Sequence, residues 1–293
     1  MRSESGFTLV LVLLVTALLT ALVIEFSYAV YVSLSSLDNW KAAQRLSAVA
    51  RSGIAFARKT MLDNPDLVRT YSGAGVIDFP VDKIIAGFEG ASVIRVEDEN
   101  AKFNLNSLRW PSGDLNGDSL KQMKELLRVL NLRQELADAV AHHLVKNIVP
   151  PGPRDVVSKD AYLDSVDELL AVKGIDRQGF QSLAPYVTVY GVDINGRHDP
   201  GSWLININTA SIPVIMSLGV TRDRAEKIVA DRRLKPFRDR AKVPIDDPRS
   251  LSRTTVASAV YRIISTADEG GIRRIIECVV DTGTGEMKYW REQ

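Results

Sequence analysis

Polar and apolar residues alternate differently in successive parts of this chain. Residues Phe7–Ile24 (FTLVLVLLVTALLTALVI) carry no charge, and threonine is their only polar residue. As a helix this run spans roughly 27 Å, just enough for a bilayer core. Helical patterning continues beyond it through Tyr31, Leu34 and Leu37. From Leu46 the apolar or small residues Val49, Ala50, Gly53, Ile54, Ala57 and Met61 follow at steps of three and four, marking one face. The pattern predicts a single helix from about Phe7 to Asp63, lipid-buried in its first half and packed on a domain in its second.

Residues 64–90 are rich in Gly, Pro and Asp and predict a loop with one short strand near Val76–Phe79. Ala91–Glu97 has strand character. Leu120, Met123, Leu126, Leu127 and Leu130 predict an amphipathic helix from Ser119. A break near Asn131 precedes a second helix carrying Leu136, Val140 and Leu144, and Pro150-Pro151-Gly152-Pro153 ends this section. Ser165 and Glu168 have capping-box spacing for a helix that Gly174 stops. A short helix near Arg177–Leu183 leads to strands at Tyr186–Tyr190 and Trp203–Asn208. Thr209 or Ser211 is expected to cap the next helix, with Pro213 in its first turn. Helices follow at about Ile212–Leu218 and Arg222–Arg233, joined by a turn at Gly219. Val256–Thr266, Ile272–Thr282 and Glu286–Trp290, separated by Gly-containing turns, predict an antiparallel meander.

Strands on both sides of a helical block imply one sheet with an insertion. The fold class expected is α+β: a long helix on a small antiparallel sheet, interrupted by a large all-α region. The divisions are residues 1–6 (leader), 7–63 (helix), 64–102 (first part of the sheet domain), 103–185 (helical insertion), 186–250 (a strand and a second helical region) and 251–293 (closing strands).

Composition narrows the picture. The chain has 293 residues, 25% of them charged, and a net charge of +1. That balance argues against whole-chain attraction to nucleic acid or anionic lipid. A single cysteine, Cys278, excludes an intramolecular disulfide. There is no nucleophile elbow, phosphate loop or zinc spacing, so no enzymatic role is expected.

The leader MRSES, then Gly6, Phe7 and the apolar run resemble a type IV prepilin signal. That resemblance implies cleavage between Gly6 and Phe7 by a prepilin peptidase, methylation of the new N-terminus, and retention of the helix as an anchor. A secretory signal would use Ser27-Tyr28-Ala29, but its apolar core would be shorter and its leader more basic. A plain membrane anchor is the other alternative.

Two Asn-x-Asn elements, FNLNSL at Phe103–Leu108 and ININTAS at Ile205–Ser211, join the segments YLDSVDELLAVKGID, FQSLAPYVTVY and the closing RIIST and YWRE. With the signal, they resemble the type II secretion system minor pseudopilin K family over nearly the whole mature chain. The resemblance implies a pilin fold interrupted by a helical domain. It also implies a tip or cap role in the pseudopilus, which helps initiate assembly and push folded substrates through the outer-membrane secretin. Implied partners are minor pseudopilins I and J, the major pseudopilin, the prepilin peptidase and the bacterial inner membrane, with the soluble part in the periplasm and no nucleic acid. At position five of the mature chain most type IV pilins carry glutamate; here it is Leu11. A subunit with no neighbour above it does not need that carboxylate.

Two further patterns have other readings. Asp114, Asn116 and Asp118, with Glu125 at position 12, form most of a calcium loop, but Ser119 replaces the required glycine. A helix-capping loop is the competing explanation. Calcium is known in the family after the second helix; this chain has His142, His143, Lys146 and Asn147 there, with Asp155, Asp160 and Asp164 beyond. The adjacent histidines point about 100° apart and do not chelate one ion. Residues Ile212–Arg233 have helix-hairpin-helix spacing, and residues 222–242 hold nine Lys or Arg against four Asp or Glu. The alternative function is therefore a membrane-anchored DNA-binding protein of DNA uptake.

Overall fold

The computed structural model describes residues 4–63, 75–77, 88–145, 158–192 and 199–293. The first element, α1, runs unbroken over Glu4–Asp63. It begins before the expected Phe7 and runs through Gly6, because one glycine costs only about 1 kcal/mol of helix propensity. Asp78 and Phe79 of the expected early strand lie outside the described residues. The strand itself is present as β1, Gly75–Ile77.

The second half of α1 packs where its pattern places it. Leu46, Val49, Ala50, Ile54, Ala57 and Met61 are buried against Ile94, Val96, Tyr261, Ile263, Ile276 and Cys278 of the sheet. At Gly53 helix and sheet approach so closely that a Cβ would stand 2.4 Å from the Ser265 hydroxyl.

The sheet contains β2 (Ala91–Asp98), β7 (Val260–Glu269), β8 (Ile272–Asp281) and β9 (Met287–Glu292), in the antiparallel order β1-β2-β7-β8-β9. Strands β2 and β7 are neighbours although residues 99–259 separate them in sequence. Asp98 stands opposite Tyr261 in their ladder. The helical region thus occupies the place of a hairpin loop and hangs from one end of the sheet by two adjacent chain crossings.

The insertion consists of two similarly built units. The first begins at β3 (Phe103–Asn104), continues through α2 (Gly117–Val129), α3 (Glu135–Leu144) and α4 (Arg177–Leu183), and closes with β4 (Val187–Thr188), parallel to β3. The second begins at β5 (Ile205–Asn206), continues through α5 (Ile212–Ser217), α6 (Arg222–Leu234) and α7 (Pro248–Ser252), and closes with β6 (Thr254–Thr255), parallel to β5. One continuous core joins the units, from Phe103 and Leu105 through Leu126, Leu144 and Leu183 to Ile207, Ile215 and Ile228.

Local signals explain most boundaries. Asn131 takes a left-handed φ of 56° and separates α2 from α3. The Ser165–Glu168 capping box is present, but the segment it opens, Val166–Ala171, is a 3-10 helix and not an α-helix. The meander's first strand begins at Val260, four residues later than its β-propensity suggested. Residues 256–259 instead link the parallel ladder of Thr254–Thr255 to the sheet, with the Val256 carbonyl held by Asn208 and the Ser258 hydroxyl by Asp98.

Candidate functional site

The anchor is the first site. Phe7, Leu11 and the apolar residues up to Ile24 are exposed on α1, and no other described residue of the chain covers them. By length and composition this helix can cross a membrane. The Gly6–Phe7 junction lies in its first turns.

The joint between sheet and insertion is the second site, and sequence patterning alone does not reveal it. It is built on Asp98 and Glu99, where β2 leaves the sheet. Both carboxyls are buried. Asp98 accepts hydrogen bonds from the Asn100 backbone N–H (2.8 Å), the Asn206 amide (2.8 Å), the Thr209 hydroxyl (2.6 Å) and the Ser258 hydroxyl. It thereby ties β2 to the start of the second unit and to the strand returning from it. Its partners among the described residues are all neutral, and burial pushes its pKa up against the pull of Ser258, Thr209 and Asn206.

Glu99 ties β2 to the first unit and to β7. It accepts from the Thr188 hydroxyl of β4, from Arg262 Nε (2.6 Å) and from Lys102 Nζ (3.0 Å). Arg262 also pairs with Glu277 of β8, and Lys102 with Glu97. Burial alone would raise the Glu99 pKa; Lys102 and Arg262 outweigh it and hold the carboxyl at about 2. Two adjacent residues, the last of β2 and the one after it, thus hold opposite protonation tendencies because only Glu99 has cationic partners.

The two Asn-x-Asn elements perform the same task in each unit. Asn104 and Asn206 each accept from the backbone N–H two residues on, turning the strand into the loop that follows. Asn106 donates to the carbonyls of Leu163 (3.0 Å) and Val189 (2.9 Å) and accepts from Leu163 N–H (2.7 Å). Asn208 donates to the carbonyls of Phe237 (2.9 Å) and Val256 (3.1 Å) and accepts from Phe237 N–H (2.9 Å). Val189 and Val256 each directly follow the returning strand of their unit. The repeated motif is therefore a buried clamp closing each unit.

Several expected residues take other roles. Thr209 bonds Asp98 and does not cap a helix. Ser211 occupies the N-cap position of α5, but its hydroxyl makes no capping bond. In the hairpin, Gly219 has φ 87° and makes the expected turn. Arg232 points inward, donating to the carbonyls of Ile207 (2.6 Å) and Ala210 (2.7 Å). Burial, with Arg233 alongside, pulls its pKa down to about 10. The hairpin motif's arginine is thus a strut between α6 and the Asn-x-Asn loop.

In the calcium-like loop, Asn116 caps α2 by accepting from the Asp118 and Ser119 N–H groups. Asp114 accepts from the Ser112 hydroxyl, Asp118 faces Lys121 and Arg253, and Glu125 pairs with Arg128 inside α2. His142 is buried, and burial lowers the pKa of His143. Asp160 pairs with Arg109 and Asp164 with Lys159; Lys146, Asn147 and Asp155 lie outside the described residues. Among the described residues no three His, Cys, Asp or Glu side chains gather as a metal would require.

Comparison with known proteins agrees with this architecture. Two family models, both described as type II secretion system (T2SS), protein K, match residues 101–192 and 205–252, one on each helical unit. The chain is 27% identical over 317 aligned positions to a type II secretion system protein K of Aeromonas hydrophila, covering 96% of this chain and 91% of the relative. It is 24% identical to the Pseudomonas aeruginosa protein of the same description, covering 96% and 90%. The fold is similar to a chain in the crystal structure of the GspK-GspI-GspJ complex from the enterotoxigenic Escherichia coli type 2 secretion system. That match has a TM-score of 0.58 at 16% identity and covers 88% of this chain and 98% of the other.

Proposed function

The chain belongs to the type II secretion system protein K family and is a minor pseudopilin, and from this premise we propose that it ends the pseudopilus as its cap. The observation that carries the proposal is the placement of the insertion. Residues 99–259 replace a hairpin loop of the sheet, so the head is enlarged at one end only. A further subunit of ordinary pilin size cannot stack over such a head, whereas one below it meets only α1 and the sheet. Leu11 fits the same position, because a cap has no upper neighbour whose N-terminal amine needs a counter-charge.

The structural neighbour comes from a complex with GspI and GspJ. By extension this chain partners minor pseudopilins of those two types and rests on the major pseudopilin below them. The peptidase that releases it cuts between Gly6 and Phe7. The helix from Phe7 holds it in the bacterial inner membrane, with the head in the periplasm, until assembly drives folded substrates toward the secretin. Calcium, if it binds this head, is proposed to stabilise the helical units and leave the sheet nearly unaffected.

Position along overproduced pseudopili, measured by immunogold labelling or crosslinking, tests the cap. Label confined to one end of each filament is the expected result; label along the shaft defeats it. Intact mass from cells with and without prepilin peptidase tests the processing site, and a mature N-terminus at Val30 would mean signal peptidase instead. A salt-sensitive gel shift with DNA at submicromolar protein would favour the DNA-uptake reading. The burial of Arg232 argues against that outcome.

A further inference from the structure

The chain leaves the end of α6 through a strongly basic stretch. Residues 233–242 hold Arg233, Lys235, Arg238, Arg240 and Lys242 against one acid, Asp239. The whole chain carries a net charge of only +1, so this excess is local and the rest of the chain balances it. Four of the five basic residues are exposed, and Arg240 is half-buried. Earlier in α6, Arg222 and Arg224 are paired with Glu226 and Asp246. The five later cations have no carboxylate within ion-pair distance among the described residues. Asp239 is used locally, accepting from the Ala241 N–H to cap the turn Arg240–Lys242. The helix dipole favours Arg233 in the last turn of α6, but Arg238, Arg240 and Lys242 lie beyond the helix end and owe nothing to it.

Leu234 stands among these charges. It is 88% exposed, more than any other large hydrophobic residue among the described ones, those of the membrane-anchor helix included. The backbone that displays the group is held in place: Asn208 bonds both the N–H and the carbonyl of Phe237, and Val243 is buried in the core. A partner therefore meets a preorganised surface and need not order the chain that carries it. The stretch begins at the opposite end of α6 from the Gly219 turn, and 13 helical residues put roughly 18 Å between the two ends. A nucleic-acid backbone held by the amides of that turn would not be centred on these cations, and its phosphates offer Leu234 nothing apolar.

We propose that residues 233–242 form a docking surface for an acidic segment of another protein, whose carboxylates pair with Lys235, Arg238 and Lys242 and whose apolar side chain covers Leu234. Complementary charge draws in such a segment and rejects basic ones. Burial of Leu234 then favours acidic segments that carry an apolar residue over those that do not. The docking concerns the head alone and holds wherever the subunit stands in the filament.

Full-length protein in non-ionic detergent micelles, titrated into fluorescein-labelled Gly-Asp-Glu-Leu-Glu-Asp-Gly and followed by anisotropy, tests it. Binding should weaken as salt is raised. The same peptide with Asn and Gln in place of Asp and Glu should bind weaker by about tenfold or more. Serine in place of the peptide's leucine, and Leu234→Ser in the protein, should each weaken binding severalfold. Lys235→Glu combined with Arg238→Glu should cost about tenfold or more. Reversing two exposed cations elsewhere, Lys173→Glu with Arg177→Glu, should leave binding nearly unchanged. All five substituted side chains are exposed, so the fold stays intact, and an unchanged melting temperature checks this. Equal loss in the two reversed pairs assigns the signal to general surface charge and overturns the proposal. Binding indifferent to both leucines overturns it too. A labelled DNA duplex bound more tightly than the peptide, through Lys235 and Arg238, would make this a nucleic-acid surface instead. No binding of the acidic peptide overturns the proposal as well.

Discussion

Single side chains hold this head together at one place, the corner where β2 ends. Removing the Glu99 carboxylate leaves Arg262 and Lys102 in a buried setting with one partner fewer each. Glu99→Ala should destabilise the head by about 3–5 kcal/mol, the usual consequence of breaking a buried ion pair. The acid side provides a sharper test. Glu99 has a folded pKa of about 2 against an ordinary 4.5. Its stabilisation is complete above pH 4.5, and about 3 kcal/mol is lost as pH falls from 4.5 to 2. Asp98 acts with the opposite sign: its pKa is raised from 3.8, so it subtracts stability as pH climbs through its folded value. Denaturant melts of Glu99→Gln should therefore lack most of the acid-side slope between pH 4.5 and 2, while wild type keeps it. The Asn clamps offer a second test. Asn106→Ala and Asn208→Ala each orphan two carbonyls and one N–H, at a cost of about 3 kcal/mol apiece. Because the two clamps have matching geometry, their costs measured by urea unfolding should agree within about 1 kcal/mol.

Among the elements, the contact between α1 and the sheet depends on Gly53. Its missing side chain lets the helix settle on Ser265, whose buried hydroxyl has no hydrogen-bond partner among the described residues. Gly53→Ala would gain about 1 kcal/mol in an exposed helix. Here it should destabilise, because the new methyl stands 2.4 Å from the Ser265 oxygen and the helix must lift. Adding Ser265→Ala should recover part of the loss, and the double-mutant cycle in thermal melts measures that coupling. The helical units are held differently. Each closes through a two-residue parallel ladder and an asparagine, so either clamp variant should raise amide exchange first in its own unit.

Considered entire, the protein is a pilin-like anchor and sheet carrying an enlarged head. Asp98 and Val260 end adjacent strands. Asp98 pairs with Tyr261, so replacing residues 99–260 with Asn-Gly should close a two-residue hairpin and leave the sheet able to fold. If bulk makes the cap, that deletion variant enters the shaft although it keeps Leu11. If position five makes the cap, Leu11→Glu in the intact chain enters instead, at an insertion cost of about 2.5–3.5 kcal/mol for a charge near the bilayer centre and less near the interface. The expected result is that the deletion moves and Leu11→Glu stays at the end, as judged by crosslinking along the filament. Millimolar calcium against chelator, followed by melting temperature, tests the remaining metal proposal. A calcium-dependent gap that shrinks in Asp114→Ala or Asp118→Ala supports it, and no gap ends it.

The anchor, the packed face of α1 and the closing meander were legible in the order of residues, because each rests on a local period or a local turn. Leu46 to Met61 keep helical spacing, Gly270-Gly271 and Gly285 take φ values of 60–80° in the turns, and no distant residue is needed to place them. The two Asn-x-Asn elements were visible as a repeat, but their purpose was not. An asparagine in a loop reads as a turn former until its amide is seen to hold Leu163 and Val189, or Phe237 and Val256, which lie far along the chain. The same holds for Asp98 and Glu99, which fall just past the expected strand Ala91–Glu97 and belong to no pattern of their own. Tertiary contacts alone bury both, supply cations to one and hydroxyls to the other, and set their pKa values apart. Periodicity records which face of an element is apolar. It carries no information about which distant groups meet there, and for a buried carboxylate those groups decide both charge and role.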